Sequence, residues 1–552
     1  MRLRKACVKT YKKKRRYFMK KRLLTILTLI ITACIAMTAM AGCGEKKQTD
    51  PSTIFINCYS GGYGAQYMRN NAAAFNAMQS EYKAVVLPDN KDDIGLISQT
   101  IKAGTAAGDI FMNGYDLLEL MRQDLLMDIS DVLESESDNG VKIKNKIRDF
   151  SDFEPIISYE NKFYAMPHND GIVSMVVDYQ LLKDRGWLVK GLDNEISAGK
   201  DGQKGTYDDG LPVDMNEWEQ MANAIVGASI YPFIVTGQYN FYSQFALDAL
   251  WAQYDGIDNY IAANTYSGAY TSHSSTVTQL SWQNGYLAFQ LAEGRKKAVE
   301  FAETYFGNPV YLHPKSMLQT SHRDAQDAFI LGYKNASGNP QSAILVDGSW
   351  WENEARPMFN SLAENNEPQH AYGVHDYRMM PMPNLPGSKG LDGNGKGSAV
   401  SCIEHCMYFA KKQTNEIKIA AVKAFMKYLA SDEALKNYTA TTGGIGAYDY
   451  TLNETQYNGL SPFAKSVWDM YNGENVRVVR PLLYGYSTPF GSLTIPRVER
   501  WSSRPLNNSG NAVDFTNPFP ALVFNNIPAV NYNNGFETKF TQTFWNSLLS
   551  QL

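Results

Sequence analysis

Short apolar runs alternate with amphipathic stretches along the chain between residues 53 and 126. Three of these runs predict buried strands, at 53–59, 84–87 and 109–112. Between the first two, Met68, Ala72 and Phe75 recur at helical spacing, and the stretches 94–102 and 115–126 also predict helices. Strands that alternate with helices favour an α/β fold with a largely parallel sheet.

The pattern restarts near residue 163 and changes toward the C-terminus. Apolar residues at 172–177 and 344–346 predict two more strands, and 415–429 predicts a long helix. Asp214 and Glu217 have the spacing of a capping pair at the start of another helix. The last hundred residues are rich in Tyr, Asn, Pro and Phe and show little periodicity, so the pattern predicts no architecture for them.

The N-terminal segment is strongly basic. Residues 1–42 contain twelve Lys or Arg and no Asp or Glu. A basic triplet at 20–22 precedes an apolar run at 23–41, an order typical of a secretory signal peptide. The Ala-Gly pair before Cys43 resembles a bacterial lipobox, so we expect cleavage before Cys43, lipidation of its thiol and a lipidated linker over 43–52. An uncleaved anchor or an ordinary signal peptide is the alternative, and the start codon at Met1 or Met19 is left open.

The rest of the chain is acidic, with 40 basic and 56 acidic residues and a net charge of −16. This balance argues against a nucleic-acid partner. No strong catalytic motif is present: Gly390, Gly395 and Lys396 approach a phosphate-binding loop, but Gly397 stands where the Ser or Thr is needed. We therefore expect a protein that is not an enzyme. A secreted carbohydrate-active enzyme that uses two of the many carboxylates is an alternative.

One acidic segment, 193–209, is a candidate calcium site. Oxygen ligands separated by glycines suit Ca²⁺, although the spacing departs from that of an EF-hand. The candidate ligands are Asp193, Asp201, Gln203, Asp208 and Asp209. An ordinary solvated loop is the alternative interpretation. If calcium binds, we expect it to be structural, and no cofactor is required for function.

The order of several motifs resembles that of a known family. After the lipobox come Gly108–Phe111, Leu125–Ser130, Phe163–Pro167, Gly348–Trp350 and Ala420–Leu429. Together they resemble extracellular solute-binding protein family 1, the sugar-binding lipoproteins of bacterial ABC importers. Each motif is weak alone, and the collective resemblance covers roughly 50–450. A departure is Gly443–Ala447, which lacks the proline of the family's turn.

The resemblance implies a two-lobed, periplasmic-binding-protein-like α/β fold with hinge strands between the lobes. Lobe one would comprise 51–166 and 400–450, and lobe two 167–399, while the placement of the 451–552 extension is undetermined. The implied ligand is a carbohydrate, for which we expect an oligosaccharide, and the implied partners are the membrane permease subunits of an ABC importer. The protein would then be anchored by lipid to the outer face of the cell membrane. A structural or adhesive surface lipoprotein is a further alternative.

Aromatic rings that stack on sugar faces, and polar side chains that bind hydroxyl groups, are the residues that such a site needs. Ends of strands in α/β sheets are where ligands bind. On these grounds and by family position, the ligand-binding candidates are Tyr59, Tyr63, Asn113, Tyr115, Asp116, Asn169, Asp170, Gln238, Tyr239, Tyr242, Trp350 and Trp351. Trp350 is the leading candidate, and packing in the lobe-two core is its alternative role.

Overall fold

The structure is a computed structural model. It describes residues 50–89, 94–112, 117–336, 340–391, 397–403, 407–488, 499–507 and 509–552. The signal segment and Cys43 lie outside the described residues, as do Asn113, Tyr115 and Asp116. Residues Ser52–Leu552 form one compact unit.

Two separate sheets organise the described chain. The strands, in chain order, are β1 Thr53–Cys58, β2 Lys83–Val86, β3 Ile110–Met112, β4 Ser158–Tyr159, β5 Lys162–Phe163, β6 Ala165–Pro167, β7 Gly171–Asp178, β8 Tyr231–Val235, β9 Gly268–Thr271, β10 Val277–Leu280, β11 Ser342–Gly348, β12 Tyr377–Met380, β13 Ser398–Ile403, β14 Met407–Ala410 and β15 Val476–Val479. The first sheet has the order β2-β1-β3-β14-β6, and the second β15-β13-β7-β11-β8 with β12 also paired to β7. Two small pairs, β4 with β5 and β9 with β10, stand apart.

The first sheet is parallel where the sequence predicted it to be. β1 pairs in parallel with both β2 and β3, and helices connect the three strands. β14 then joins from later in the chain, antiparallel to β3 and β6. In the second sheet, β7 pairs antiparallel with β11, β12 and β13, and all eight of its residues are buried. A strand buried on both faces needs packing on both sides, which explains its largely apolar sequence, and the buried Ser174 hydroxyl donates to the Met380 carbonyl.

Helices cover both sheets. The α-helices are Gln66–Met78, Ile94–Lys102, Leu118–Arg122, Ser130–Glu134, Ile143–Lys146, Phe150–Ile157, Tyr179–Asp184, Met215–Gly227, Tyr242–Asp255, Ile257–Thr265, Leu287–Leu291, Glu293–Tyr305, His322–Leu331, Trp351–Glu354, Arg356–Glu364, Glu416–Leu429, Asp432–Thr442, Glu454–Asn458, Pro462–Asn472, Pro481–Tyr486, Ala529–Lys539 and Gln542–Leu549. Short 3₁₀ turns occupy Pro314–Met317, Gly332–Lys334 and Pro368–His370, and a π-turn occupies Pro520–Phe524. None of the helices in the described part of the chain is both long and apolar enough to cross a membrane.

A side-chain cap explains where the helix Met215–Gly227 begins. The Asp214 carboxylate accepts the backbone N–H groups of Asn216 and Glu217, and the Glu217 carboxylate accepts that of Val213, so the predicted capping pair is confirmed. The helix predicted over 115–126 is described only as Leu118–Arg122. It ends there because Asp124 takes a positive φ of 55°, which breaks the helical path.

Each sheet has its own core, which gives the two-lobed architecture expected from the sequence. One cluster packs around β1, β3 and β14 and includes the helix Glu416–Leu429. Two clusters lie about β7 and β11 of the second sheet. The chain passes from the first sheet to the second at 168–170, between β6 and β7, and changes sheets again between β13 and β14. The predicted lobe bounds stay a prediction in detail.

The C-terminal extension packs with the second sheet. β15 pairs in parallel with β13, and the helix Ala529–Lys539 contacts the helix Glu293–Tyr305. The Arg500 guanidinium also binds the fully buried Asp248 carboxylate, with Nε donating to Oδ1 at 2.9 Å. Periodicity could not predict this placement, because the partners of β15 and of the helix Ala529–Lys539 lie far away in the sequence.

Candidate functional site

A cavity of about 470 Å³ lies where the elements of the two sheets meet. The turn after β1 lines one side, and the loops after β8 and β11 line the other. The residues of the crossing between β6 and β7 form its base. Its lining residues are Tyr59, Gly61, Gly62, Tyr63, Gly64, Tyr67, Met112, His168, Asn169, Gly171, Tyr239, Phe241, Tyr242, His322, Arg323, Trp350, Glu354 and Ile403.

Trp350 lies at the centre of the aromatic wall. Its ring meets Tyr63 edge-on at 6.2 Å and Tyr242 edge-on at 5.6 Å between centroids. Only 6% of Trp350 is exposed, and it belongs to a small cluster apart from the main cores. A Cβ on Gly62 would lie 2.6 Å from the indole, and one on Gly348 would lie 2.3 Å from it. The two glycines therefore allow the indole to lie between the turn of one lobe and the strand end of the other.

Two hydrogen bonds join the lobes beside this ring. The Tyr63 hydroxyl and the Ser349 Oγ are 2.7 Å apart, and the Asn353 amide donates to the Gly62 carbonyl at 2.9 Å. Burial raises the pKa of Tyr63, so its hydroxyl stays protonated. The turn after β1 is thus attached directly to the loop after β11.

His168 and Asn169 supply buried polar atoms to the base of the cavity. The His168 ring stacks on Tyr67 at 5.2 Å, and its Nδ1 lies 2.6 Å from the Tyr408 hydroxyl. Burial lowers the pKa of His168 to about 3, so the ring is neutral. His168 Nε2 and Asn169 Oδ1 are both buried and have no hydrogen-bond partner among the described residues. A buried polar atom without a partner costs roughly 1–3 kcal/mol, so these two atoms are positions that a bound ligand would satisfy.

A charged group of side chains lies at the edge of the cavity. The His322 Nε2 is 3.3 Å from a Glu354 carboxylate oxygen, and the Gln326 amide donates to both Glu354 and Asp347, at 2.9 and 3.0 Å. Burial raises the pKa of Asp347 to about 7. Burial also acts to raise the pKa of Glu354, but the hydrogen bonds from His322 and Gln326 outweigh it and the pKa is lowered. Glu354 is therefore ionised and already partnered.

The structure brings half of the predicted ligand-binding residues together. Those that line the cavity are Tyr59, Tyr63, Asn169, Tyr239, Tyr242 and Trp350. Three others do not line it. Trp351 is fully buried against Phe329 and Tyr377, Asp170 is fully buried in an ion pair with Arg480, and Gln238 is an exposed loop residue. Asn113, Tyr115 and Asp116 lie outside the described residues, so their assignment stays a prediction.

Sequence reasoning missed several lining residues. His168 stands directly before Asn169 in the crossing segment, and this adjacency was the available signal. Tyr67 lies in the first turn of the helix Gln66–Met78, four residues after Tyr63 of the preceding turn, while His322 and Glu354 come from two separate helices. No local pattern joins these last two, because only the packing of the helix His322–Leu331 against β11 brings them together.

The candidate calcium loop is closed by its own hydrogen bonds. The Asp208 carboxylate accepts the backbone N–H groups of Lys200 and Asp201 at 2.7 and 3.0 Å, and Asp209 accepts that of Gly205 at 2.7 Å. The Asp193 carboxylate accepts the backbone N–H of Glu195, and the Asp201 carboxylate accepts that of Gln203. In the described part of the chain, no group of three or more His, Cys, Asp or Glu is arranged to hold a metal ion. Calcium binding here stays a prediction.

Three solved structures show the same fold at low sequence identity. One is a chitin oligosaccharide binding protein, 14% identical, with a TM-score of 0.51, covering 80% of this chain and 90% of its own. Another, from work on xylan utilization by Caldanaerobius polysaccharolyticus, is 14% identical with a TM-score of 0.52, covering 89% and 100%. A probable secreted solute-binding lipoprotein from Streptomyces coelicolor is 13% identical with a TM-score of 0.53, covering 89% and 99%.

The family assignment follows from the sequence after the N-terminal segment. No curated protein matches the chain significantly. A family model described as bacterial extracellular solute-binding protein matches residues 71–449, more than half of the chain. This confirms the resemblance seen in the order of the motifs, and it implies a location outside the cytoplasm. The chain belongs to the bacterial extracellular solute-binding protein family.

Proposed function

We propose that this protein captures a carbohydrate outside the cell and delivers it unchanged to the permease subunits of an ABC importer. The observation that carries the proposal is the cavity between the lobes, where aromatic rings surround two buried polar atoms without partners, His168 Nε2 and Asn169 Oδ1. Family membership supports the binding role and the importer as partner.

The chemistry of the cavity suits a sugar. A pyranose has apolar C–H faces that pack on aromatic rings, and hydroxyl groups that need directional hydrogen-bond partners. Trp350, Tyr242 and Tyr63 supply the rings, while His168 and Asn169 supply the unpaired polar atoms. Two proteins of the same fold, described by chitin oligosaccharide binding and by xylan utilization, are consistent with this ligand class.

Capture is expected to involve closure of the lobes. The contacts Tyr63–Ser349 and Asn353–Gly62 join the lobes beside the cavity, and such contacts would form as the lobes approach each other. Small-angle scattering of the purified full chain should show a smaller radius of gyration with a bound oligosaccharide than without it. Chromatography of the same oligosaccharide after long incubation should show it intact. Cleavage of the glycan by pure protein would contradict the proposal and favour a secreted enzyme.

Attachment to the membrane would keep the captured ligand near the importer. The Ala-Gly-Cys order at Cys43 supports a lipid anchor. Changing Cys43 to Ala should move the protein from the membrane fraction to the culture medium or periplasm. Membrane retention with an intact N-terminus would instead show an uncleaved anchor.

A further inference from the structure

A second cavity, of about 480 Å³, adjoins the aromatic cavity. The two share the turn Gly61–Gly64, together with Arg323 and Glu354. The second cavity continues beyond the Gly62–Asn353 contact toward the helix Arg356–Glu364. A ligand longer than the first cavity would therefore continue into this second one.

The second cavity differs from the first in its charge. Three arginines line it, Arg69, Arg323 and Arg356, against two carboxylates, Asp89 and Glu354. Both carboxylates are already occupied, Asp89 by an ion pair with Arg69 and Glu354 by His322 and Gln326. Arg323 and Arg356, by contrast, form no ion pair within 4 Å among the described residues, at a cavity of a chain whose net charge after residue 42 is −16.

These two arginines have donors available for a ligand. Arg323 is exposed, lines both cavities and makes no hydrogen bond and no ion pair within 4 Å among the described residues, although its charge acts on the nearby Glu354 carboxylate. Arg356 is held in place: its guanidinium lies 3.8 Å over the Tyr372 ring, and its Nη2 donates to Asn353 Oδ1 at 3.0 Å and to the Thr441 carbonyl at 3.4 Å, which leaves its other nitrogens for a ligand. Arg356, which is held in place, and Arg323, which forms no ion pair, line the same cavity. Two guanidinium groups in one cavity can bind the negatively charged oxygens of a carboxylate or a sulfate.

We propose that the second cavity binds an anionic substituent of the carbohydrate, so that the natural ligand is an acidic oligosaccharide. Its neutral part occupies the aromatic cavity, and its carboxylate or sulfate group is bound by Arg323 and Arg356. This inference rests on the proposed function, because it specifies which carbohydrates that site takes. A carboxylate and a sulfate offer the same oxygen acceptors, and the experiment below separates them.

The test compares matched pairs of oligosaccharides by isothermal titration calorimetry with the purified full chain. One set pairs oligogalacturonides with their carboxyl-reduced neutral forms, and the other pairs chondroitin sulfate oligosaccharides with their desulfated forms. We expect the acidic member of a pair to bind at least tenfold more tightly, and its affinity to fall as salt is added. The set that shows the difference identifies the anion.

Variants tie the effect to the cavity. Arg323→Gln should weaken binding of the acidic oligosaccharide roughly tenfold more than it weakens binding of the neutral form, because it removes a charged donor to the anionic group, and tenfold corresponds to about 1.4 kcal/mol. Arg323→Lys should retain part of the preference because it keeps the charge. Arg477→Gln removes the same charge from an exposed position that lines neither cavity and should change nothing. Equal melting temperatures will show that all three variants fold.

Two results would overturn the inference, and they differ in what they say of the function. Tighter binding of neutral oligosaccharides, insensitive to Arg323→Gln, would refute the acidic ligand and leave carbohydrate capture intact. Binding of neither member of any pair by folded protein would refute both.

Discussion

Two buried polar regions lie next to each other at the crossing between the lobes, and they differ in whether their side chains have hydrogen-bond partners. At the base of the cavity, His168 Nε2 and Asn169 Oδ1 are buried without partners among the described residues. One residue further on, Asp170 is also fully buried, yet its carboxylate accepts hydrogen bonds from Arg480 at 2.6 and 3.1 Å and from the Tyr471 hydroxyl. Both regions are buried, and they differ only in that the polar atoms of the second have hydrogen-bond partners within the protein.

The region around Arg480 forms a closed network at the crossing between the lobes. The fully buried guanidinium also reaches Asp149 at 2.8 Å and Asp152 at 3.1 Å, both next to or within the lobe-one helix Phe150–Ile157. Arg480 directly follows β15 of the second sheet. A single side chain of the C-terminal extension thus connects lobe one, the crossing and lobe two.

The comparison distinguishes polar residues that hold the fold from those available to a ligand. A paired buried charge such as Asp170 is satisfied by the protein, so a ligand gains nothing from it. An unpaired buried atom such as Asn169 Oδ1 lowers stability until something binds to it. Because His168 and Asn169 also line the cavity, we propose that they serve the ligand, whereas the paired Asp170 serves the fold.

The largest expected effect comes from breaking the paired region. Arg480→Gln removes the charge that compensates the fully buried Asp170, so we expect a loss of about 3–5 kcal/mol in the free energy of unfolding. Chemical denaturation followed by circular dichroism measures it. Arg477→Gln is the matched control, since Arg477 lies three residues earlier, on β15, but is exposed, and it should cost less than about 0.5 kcal/mol. Equal stabilities of the two variants would show that the network does not hold the fold.

Two adjacent tryptophans allow the same comparison between a residue that lines the cavity, Trp350, and a residue of the core, Trp351. Trp350→Ala should weaken oligosaccharide binding by roughly 10–100-fold, because stacking of an aromatic ring contributes about 1–3 kcal/mol. Trp351→Ala should instead lower the free energy of unfolding by about 3–5 kcal/mol, because its ring fills the core beside Phe463 and Tyr377. The affinity of its folded fraction should be unchanged. Calorimetric binding and melting measured on both variants will separate the roles, and unchanged affinity in Trp350→Ala would remove that ring from the site.

More of the fold than of the candidate site could be predicted from the sequence, and the reasons are physical. Periodic burial determines a strand such as β7 or a helix such as Glu416–Leu429, and periodicity is visible in the residues themselves. The aromatic candidates near strand ends were also found, because strand ends converge on the cleft. Trp350 and Trp351 could not be separated, since one residue of backbone turn sends one ring to the cleft and the other to the core. The partner of Asp170 was equally hidden, because Arg480 lies 310 residues away.

The smallest expected effect uses pH to compare a histidine without a charged partner and one with such a partner. Burial lowers the pKa of His168 to about 3, whereas the unfolded chain takes up a proton near pH 6.5. The contribution of His168 to stability is therefore lost as pH falls below 6.5, by about 1 kcal/mol between pH 6.5 and 5.5. In His168→Gln that part of the pH dependence should be absent, as denaturation at several pH values will measure.

His375 provides the control of opposite sign. Burial acts to lower the pKa of His375, but its hydrogen bond to Asp178, with Nε2 and Oδ1 2.7 Å apart, outweighs burial and the pKa is raised. Its stabilising contribution is therefore fully present below the unfolded pKa and is lost as pH rises through the folded one. Relative to wild type, His375→Gln should lose stability at low pH, whereas His168→Gln should gain it. If both substitutions shift the pH profile of stability in the same direction, the carboxylate partner does not distinguish the two histidines. The interpretation of His168 as a buried, neutral group available to a ligand would then be wrong.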